Sequence, residues 1–182
     1  NSYKNIDHRI MKELKLFWDA LAYALDNHKN QFRKSNNIPY IIHPLRVLTI
    51  LRSVGFTEIK DQDLMIATLF HDLIEDTDVT KQDIKTRFGE KIASIAKELT
   101  KSKNQTKEQY LLSFKDGSDE AKIIKMADRI DNLLDMDISN WTNEKKVNYT
   151  EQAKLILNHC GNANKQLASL LNQIINKILN RK

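Results

Sequence analysis

One cysteine, two prolines and four glycines are spread over 182 residues, and each shortage removes a class of protein. A lone Cys160 cannot build an internal disulfide framework and suits a reducing compartment, so a cytoplasmic location is expected. With so little Gly and Pro, and aromatic residues at 7%, tight turns and strands are poorly supplied. No Gly-rich phosphate loop of the P-loop or dinucleotide type occurs. Long hydrophobic runs are missing too: there is no signal-peptide core and no stretch approaching a membrane span. Neither an internal repeat nor a linker interrupts the chain, so residues 1–182 read as a single domain with a sizeable core. Asn1 rather than Met at the start reads as a trimmed N terminus.

There is also no Arg-rich block. A net charge of +5 and a pI near 9.2 would suit a nucleic-acid partner, but the lysines are scattered. The charge reads as a solvated basic surface, with no nucleic-acid partner expected and room for a small phosphorylated ligand. What is present in quantity is Leu, Ile, Lys, Ala, Glu and Asn, with apolar residues at 41%. That composition predicts an all-α, compact multi-helix domain.

Apolar periodicity places the helices. The first spans 7–30, with Ile10, Met11, Leu14, Phe17, Trp18, Leu21 and Leu25 at helical spacing. A loop follows over 31–44, broken by Ser35-Asn36-Asn37 and Pro39. His43-Pro44 opens a second helix, Pro44 suiting its first turn, and Gly55 stops it. Asp61 or Asp63 can cap the central helix. Thr80 with Asp83 forms a capping-box pattern for the next helix, which ends near Phe88-Gly89. Further helices are expected over 91–99, 108–114, 121–136, 143–158 and 164–179. The polar 100–120 stretch is the least patterned.

The segment 66–80, IATLFHDLIEDTDVT, organises the rest. Read as one continuous helix, it sets His71, Asp72, Glu75 and Asp76 in a fan of about 140°. Ile66, Ala67, Leu69, Phe70, Leu73 and Ile74 fill the opposite arc. No Lys or Arg lies between Ile66 and Val79, so the acids have no local counter-charge and call for a cation. The segment AKIIKMADRIDNLLDM repeats the scheme: Ile123, Met126, Ala127, Ile130, Leu133 and Leu134 face one way, and Asp128, Asp131, Asn132 and Asp135 the other.

Two imidazoles and two carboxylates form a borderline donor set suited to Mn²⁺, Fe²⁺ or Zn²⁺. His71 and Asp72 supply half. The second imidazole can come from His8, His28, His43 or His159, and Asp128 is the further acid. Glu75 and Asp76, one turn on, are placed to handle protons of the attacking water and the leaving group. Arg33 and Lys34, ahead of His43, can meet a phosphorylated substrate.

These residues resemble a known family. His43, His71-Asp72 and Asp128 are similar to the H…HD…D signature of the HD phosphohydrolases. QFRKSNNIPYIIHPLRV, HDLIEDTDVT, RFGEKI and KMADRIDNL resemble the hydrolase domain of the RelA/SpoT group, the guanosine-polyphosphate (ppGpp) 3′-pyrophosphohydrolases, in its single-domain small alarmone hydrolase form. The resemblance runs from about Ala20 to the C terminus. It implies His43, His71, Asp72 and Asp128 as metal ligands, usually around Mn²⁺, and Glu75 and Asp76 as the catalytic acids. It further implies Arg33, Lys34 and Ser35 along the guanine, Asn132 and Tyr149 near the sugar and phosphates, and Tyr40 lining the pocket. Two departures stand out: Asp131 occupies a place where many relatives carry His or Tyr, and Ser35-Asn36-Asn37 replaces a Gly-containing turn.

The expected activity is metal-dependent removal of pyrophosphate from the 3′ position of ppGpp or pppGpp, giving GDP or GTP. The same site on another phosphorylated nucleotide is the enzymatic alternative. A binding module that retains the fold without turnover is the non-enzymatic one, and the intact Glu75 and Asp76 speak against it. A synthetase domain like that of bifunctional relatives has no room in 182 residues. A cognate alarmone synthetase or toxin partner is not inferable from the residues.

Overall fold

The computed structural model describes residues 7–34, 37–136 and 141–179. Within them the chain forms ten helices and no extended strand, as the composition requires. Helix α8 (Asp119–Asp135) is the axis. Its N-terminus is capped by Ser118, and nearly all of its residues are buried, including Lys122, Lys125, Asp128, Arg129, Asp131 and Asp135. Helices α2 (Ile42–Ser53), α3 (Gln62–Leu69), α6 (Glu90–Leu99), α9 (Asn143–Cys160) and α10 (Lys165–Leu179) all pack against it. Burying charges is costly unless they are paired, and the pairs that Lys125, Asp128, Asp131 and Asp135 make build the site below.

The local start signals work as the sequence suggests. Thr80 and Asp83 form a reciprocal capping box at α5 (Lys81–Phe88), and Thr106 with Gln109 forms a second one at α7 (Lys107–Ser113). Asp61 sits at the N-cap of α3, but its carboxylate accepts from Thr57 N instead of capping. Gly89, at φ 97°, separates α5 from α6, a backbone angle that a residue with a Cβ rarely adopts.

Helix α1 (His8–His28) packs on α3 and the four-residue α4 (Leu73–Asp76) with only Phe17, Ala20, Ala24 and His28 buried. The apolar stripe expected there is therefore only partly used: Trp18 is 54% and Leu25 51% exposed, and Ile10 and Met11 also face outward. The helix is turned so that its small residues Ala20 and Ala24 lie on the buried face. Leu134 on α8 likewise faces solvent, at 51%.

The larger correction concerns 66–80, which is not one helix. Helix α3 ends at Leu69, residues 70–72 form a turn, and α4 begins at Leu73. His71 Nδ1 donates to Thr68 O at 2.7 Å, taking up a carbonyl that a continuing helix would offer to the Asp72 amide. Phe70, fully buried, is wedged between Tyr23 and Phe88, with ring centroids 5.8 and 4.8 Å away. The break swings His71 and Asp72 inward while Glu75 and Asp76 stay near the surface.

Candidate metal centre and active site

His43 enters from the first turn of α2. The loop before it is closed by Arg33 N donating to Ile38 O and Tyr40 N to Gln31 O, both 2.8 Å. Asn37 adopts φ 56°, a left-handed conformation that Asn tolerates better than most residues. It thus does the work of the glycine expected in that turn. Ser35 lies outside the described residues.

The two imidazoles meet edge to edge, His43 Nε2 and His71 Nε2 being 3.1 Å apart. Each is oriented through its other nitrogen: His71 Nδ1 donates to Thr68 O, and His43 Nδ1 donates to Asp131 Oδ2, both at 2.7 Å. With both Nδ1 atoms protonated, two Nε2 lone pairs face the same point, an arrangement that repels unless a cation or proton sits between them. Around that point Asp72 Oδ2 lies 2.9 Å from His71 Nε2 and 3.8 Å from His43 Nε2. Asp128 Oδ1 lies 3.2 Å from His43 Nε2 and 4.0 Å from His71 Nε2. Donors about 2.1 Å from one shared ion are about 3.0 Å apart at a right angle and about 3.4 Å apart at the tetrahedral angle. His43, His71 and Asp128 each offer a donor atom within 4.8 Å of the others, a grouping suited to one divalent cation, and Asp72 stands beside them against His71. Of the four candidate histidines, His43 is the one brought to His71; His28 instead bonds Gln31 and stacks near Tyr40.

The electrostatics agree. Burial opposes protonation of His71, yet Asp72 and Asp128 push its pKa up to about 9. Burial likewise works against His43, and Asp128 and Asp131 outweigh it, so His43 is raised too. Burial would raise Asp72, but the two imidazoles hold it well below the usual carboxylate range. Asp128 is held low against burial by Lys125 and both histidines. Without an ion, protons serve as the counter-charge that these carboxylates need.

The surrounding side chains fix the ligands in turn. Tyr40 OH donates to Asp72 Oδ2, and burial and that carboxylate raise the phenol's pKa. Lys125 Nζ pairs with Asp128 Oδ2 at 2.9 Å, and Asn132 Nδ2 donates to Asp128 Oδ1 at 2.6 Å. Arg33 Nη2 donates to Asn132 Oδ1 at 3.0 Å and to Asp135 Oδ2 at 2.7 Å. Arg33 is therefore tied into α8 rather than standing free over a ligand.

Two cavities flank the centre and share Arg33, Tyr40, Asn132 and Tyr149. One, about 390 Å³, is partly aromatic, with Phe32 and Trp141 in its wall beside Lys34 and Asp76. The other, about 170 Å³, is almost wholly polar, with Glu75, Lys101, Lys107, Lys125 and Arg129 beside His43, Asp72 and Asp128. Glu75 and Asp76, adjacent in sequence, thus serve different cavities. Glu75 Oε2 accepts from Lys101 N at 2.8 Å. Burial first, then Asp72 and Glu75, push the Asp76 carboxyl up to about 6. Lys107 is lowered by burial and by Lys125 and Arg129. Arg129 lies over the Tyr149 ring at 3.7 Å, and its Nε is buried without a hydrogen-bond partner.

Sequence reasoning did not single out Lys101, Lys107, Lys125 or Arg129. Lys125 and Arg129 bracket Asp128 in KMADR, and that placement on an otherwise buried helix is the signal that could have found them. Lys101 and Lys107 fall in the polar stretch that carries no pattern.

An all-helical domain that brings His43, His71 and Asp128 together at one buried point, with Asp72 beside them, has the architecture of a metal-binding hydrolase. The HD domain family model matches residues 20–165, and the chain belongs to that family. It is 32% identical over 166 residues to guanosine-3′,5′-bis(diphosphate) 3′-pyrophosphohydrolase MESH1 of Drosophila melanogaster, covering 87% of this chain and 92% of the relative. The mouse MESH1 protein is 31% identical over 165 residues, covering 86% and 90%. A guanosine-3′,5′-bis(diphosphate) 3′-pyrophosphohydrolase of Aquifex aeolicus is 35% identical over 135 residues, 70% of this chain but 19% of that longer protein. Among solved structures, a metazoan ortholog of SpoT that hydrolyses ppGpp superimposes with a TM-score of 0.82 at 31% identity, covering 89% of this chain and 94% of that one. No helix among the described residues is long and apolar enough to cross a membrane.

Proposed function

We propose that the protein is a guanosine-polyphosphate 3′-pyrophosphohydrolase that works with a divalent cation, Mn²⁺ in the first instance. The observation that carries this reading is the placement of the four donors where an aromatic cavity meets a lysine-lined one. A nucleoside and a chain of phosphates need those two environments, joined at the phosphorus that reacts. The names of the Drosophila, mouse and Aquifex relatives supply the substrate.

His43, His71, Asp72 and Asp128 would hold the ion. Bound there, it supplies Lewis acidity toward water and phosphoryl oxygens. The purine lies in the larger cavity among Phe32, Trp141 and Tyr149, with Lys34 at its edge. Asn132, held by Arg33, turns toward the ribose. The 3′-diphosphate extends into the smaller cavity, where Lys101, Lys107 and Arg129 offset its charge. Water attacks the phosphorus joined to O3′, the P–O3′ bond breaks, and pyrophosphate leaves. Asp76, with a pKa near 6, is mostly ionised at neutral pH and accepts the proton of the attacking water at its carboxylate. Asp76 then releases that proton to solvent and O3′ takes one up from solvent, which balances the step. Glu75, anchored by the Lys101 amide, orients the water from the opposite side.

The test is product analysis with chelator-treated protein, ppGpp and added Mn²⁺. GDP and pyrophosphate in equal amounts, with turnover abolished by EDTA, is the expected result. Orthophosphate as the first product, or faster cleavage of another nucleotide, overturns the assignment.

A further inference from the structure

We propose that Asp131 is a positioning residue for the metal centre, acting through His43. This rests on reading the four donors as a cation site. A neutral imidazole carries its proton on either nitrogen at similar cost, and only the Nδ1–H form leaves Nε2 free to bind an ion. The surroundings must therefore choose. For His71 the choice is made by a backbone carbonyl, Thr68 O. For His43 it is made by a side chain: Asp131 Oδ2 accepts from Nδ1 at 2.7 Å.

Asp131 is built for that task. It is 1% exposed and sits three residues beyond Asp128 on α8, so one helix carries both a ligand and the group that orients another ligand. Its second oxygen, Oδ1, accepts from Arg46 Nε at 2.6 Å, and Arg33 Nη2 lies 4.0 Å from Oδ2. The carboxylate is thereby fixed at both oxygens and its charge is offset. A carboxylate behind a metal-bound imidazole also makes the ring a stronger donor than a neutral acceptor does, and removing such a partner typically costs about 10–100-fold in metal affinity.

The experiment is calorimetric titration of the chelator-stripped full chain with Mn²⁺ alone, without nucleotide. Asp131→Asn, which preserves shape and removes charge, should bind Mn²⁺ about 10–100-fold more weakly, with turnover recovering at saturating Mn²⁺. Arg46→Gln breaks the ion pair but spares the His43 contact, and it should lose far less. Affinity within twofold of wild type in Asp131→Asn, or an equal loss in Arg46→Gln, overturns the proposal. A second measurement covers a variant that does not fold. In ¹⁵N-labelled, Zn²⁺-loaded wild-type protein, His43 should carry its proton on Nδ1, and a proton on Nε2 overturns the proposal. A wild-type chain that binds no Mn²⁺ would instead remove the metal reading itself.

Discussion

In the metal-free protein the histidine pair should make stability fall as pH rises from 6.5 to 9, a range in which most proteins change little. His71 is 3% exposed and its pKa is raised from 6.5 to about 9 by Asp72 and Asp128 against the cost of burial. A group raised on folding stabilises fully below its unfolded pKa and stops doing so as pH climbs through the folded value. The window is therefore 6.5 to about 9, and the loss is about 3 kcal/mol from His71 alone. His43 is raised as well and adds in the same direction. Asp76, raised to about 6, acts at lower pH, and Lys125, raised by Asp128, acts at higher pH, so neither masks the effect. A bound divalent ion replaces the protons and removes the pH dependence. The assay is urea unfolding at pH 6.5, 7.5 and 9, in EDTA and in saturating Mn²⁺. A metal-free stability that is flat across this range, or a slope that Mn²⁺ leaves unchanged, refutes the reasoning.

Other perturbations separate the parts of the site. Asp76→Asn should retain Mn²⁺ affinity, lower kcat by about 10²-fold or more and abolish the fall in kcat below about pH 6 that the wild-type profile should show. Release of the ion instead would make Asp76 a ligand. Lys34→Ala should raise KM by about 10-fold with kcat nearly unchanged, since its role is capture of the substrate; steady-state kinetics on ppGpp decide this. Phe70→Ala should cost about 3–5 kcal/mol in urea unfolding, because Phe70 is fully buried between Tyr23 and Phe88 and anchors the turn that carries His71.

What the residues revealed in advance was what depends on near neighbours or on a long periodic run. The capping box of Thr80 and Asp83, the helix-opening His43-Pro44 and the all-helical class are of that kind. His71 and Asp72 were visible as chemistry without local counter-charge and Asp128 by the acidic front of its helix, whereas His43 was one of four candidate histidines until the resemblance singled it out. The break after Leu69 was not, because apolar spacing continues smoothly through it. Only the bond from His71 to Thr68 O and the seating of Phe70 end the helix. Trp18 and Leu25 misled for the opposite reason: they fit the period of α1, but the face that is buried carries Phe17, Ala20, Ala24 and His28. Lys125 and Arg129 read as ordinary surface charges until α8 is seen to be packed against five other helices. Burial of most of a helix is a tertiary fact that no window of sequence contains.

The most direct test of the mechanism is to follow oxygen from solvent. Turnover of ppGpp with Mn²⁺ in H₂¹⁸O should place one labelled oxygen in pyrophosphate and none in GDP, because water attacks phosphorus at the 3′ position. Label in the 3′ hydroxyl of GDP, label in orthophosphate as the first product, or no turnover by Mn²⁺-loaded protein would contradict the account.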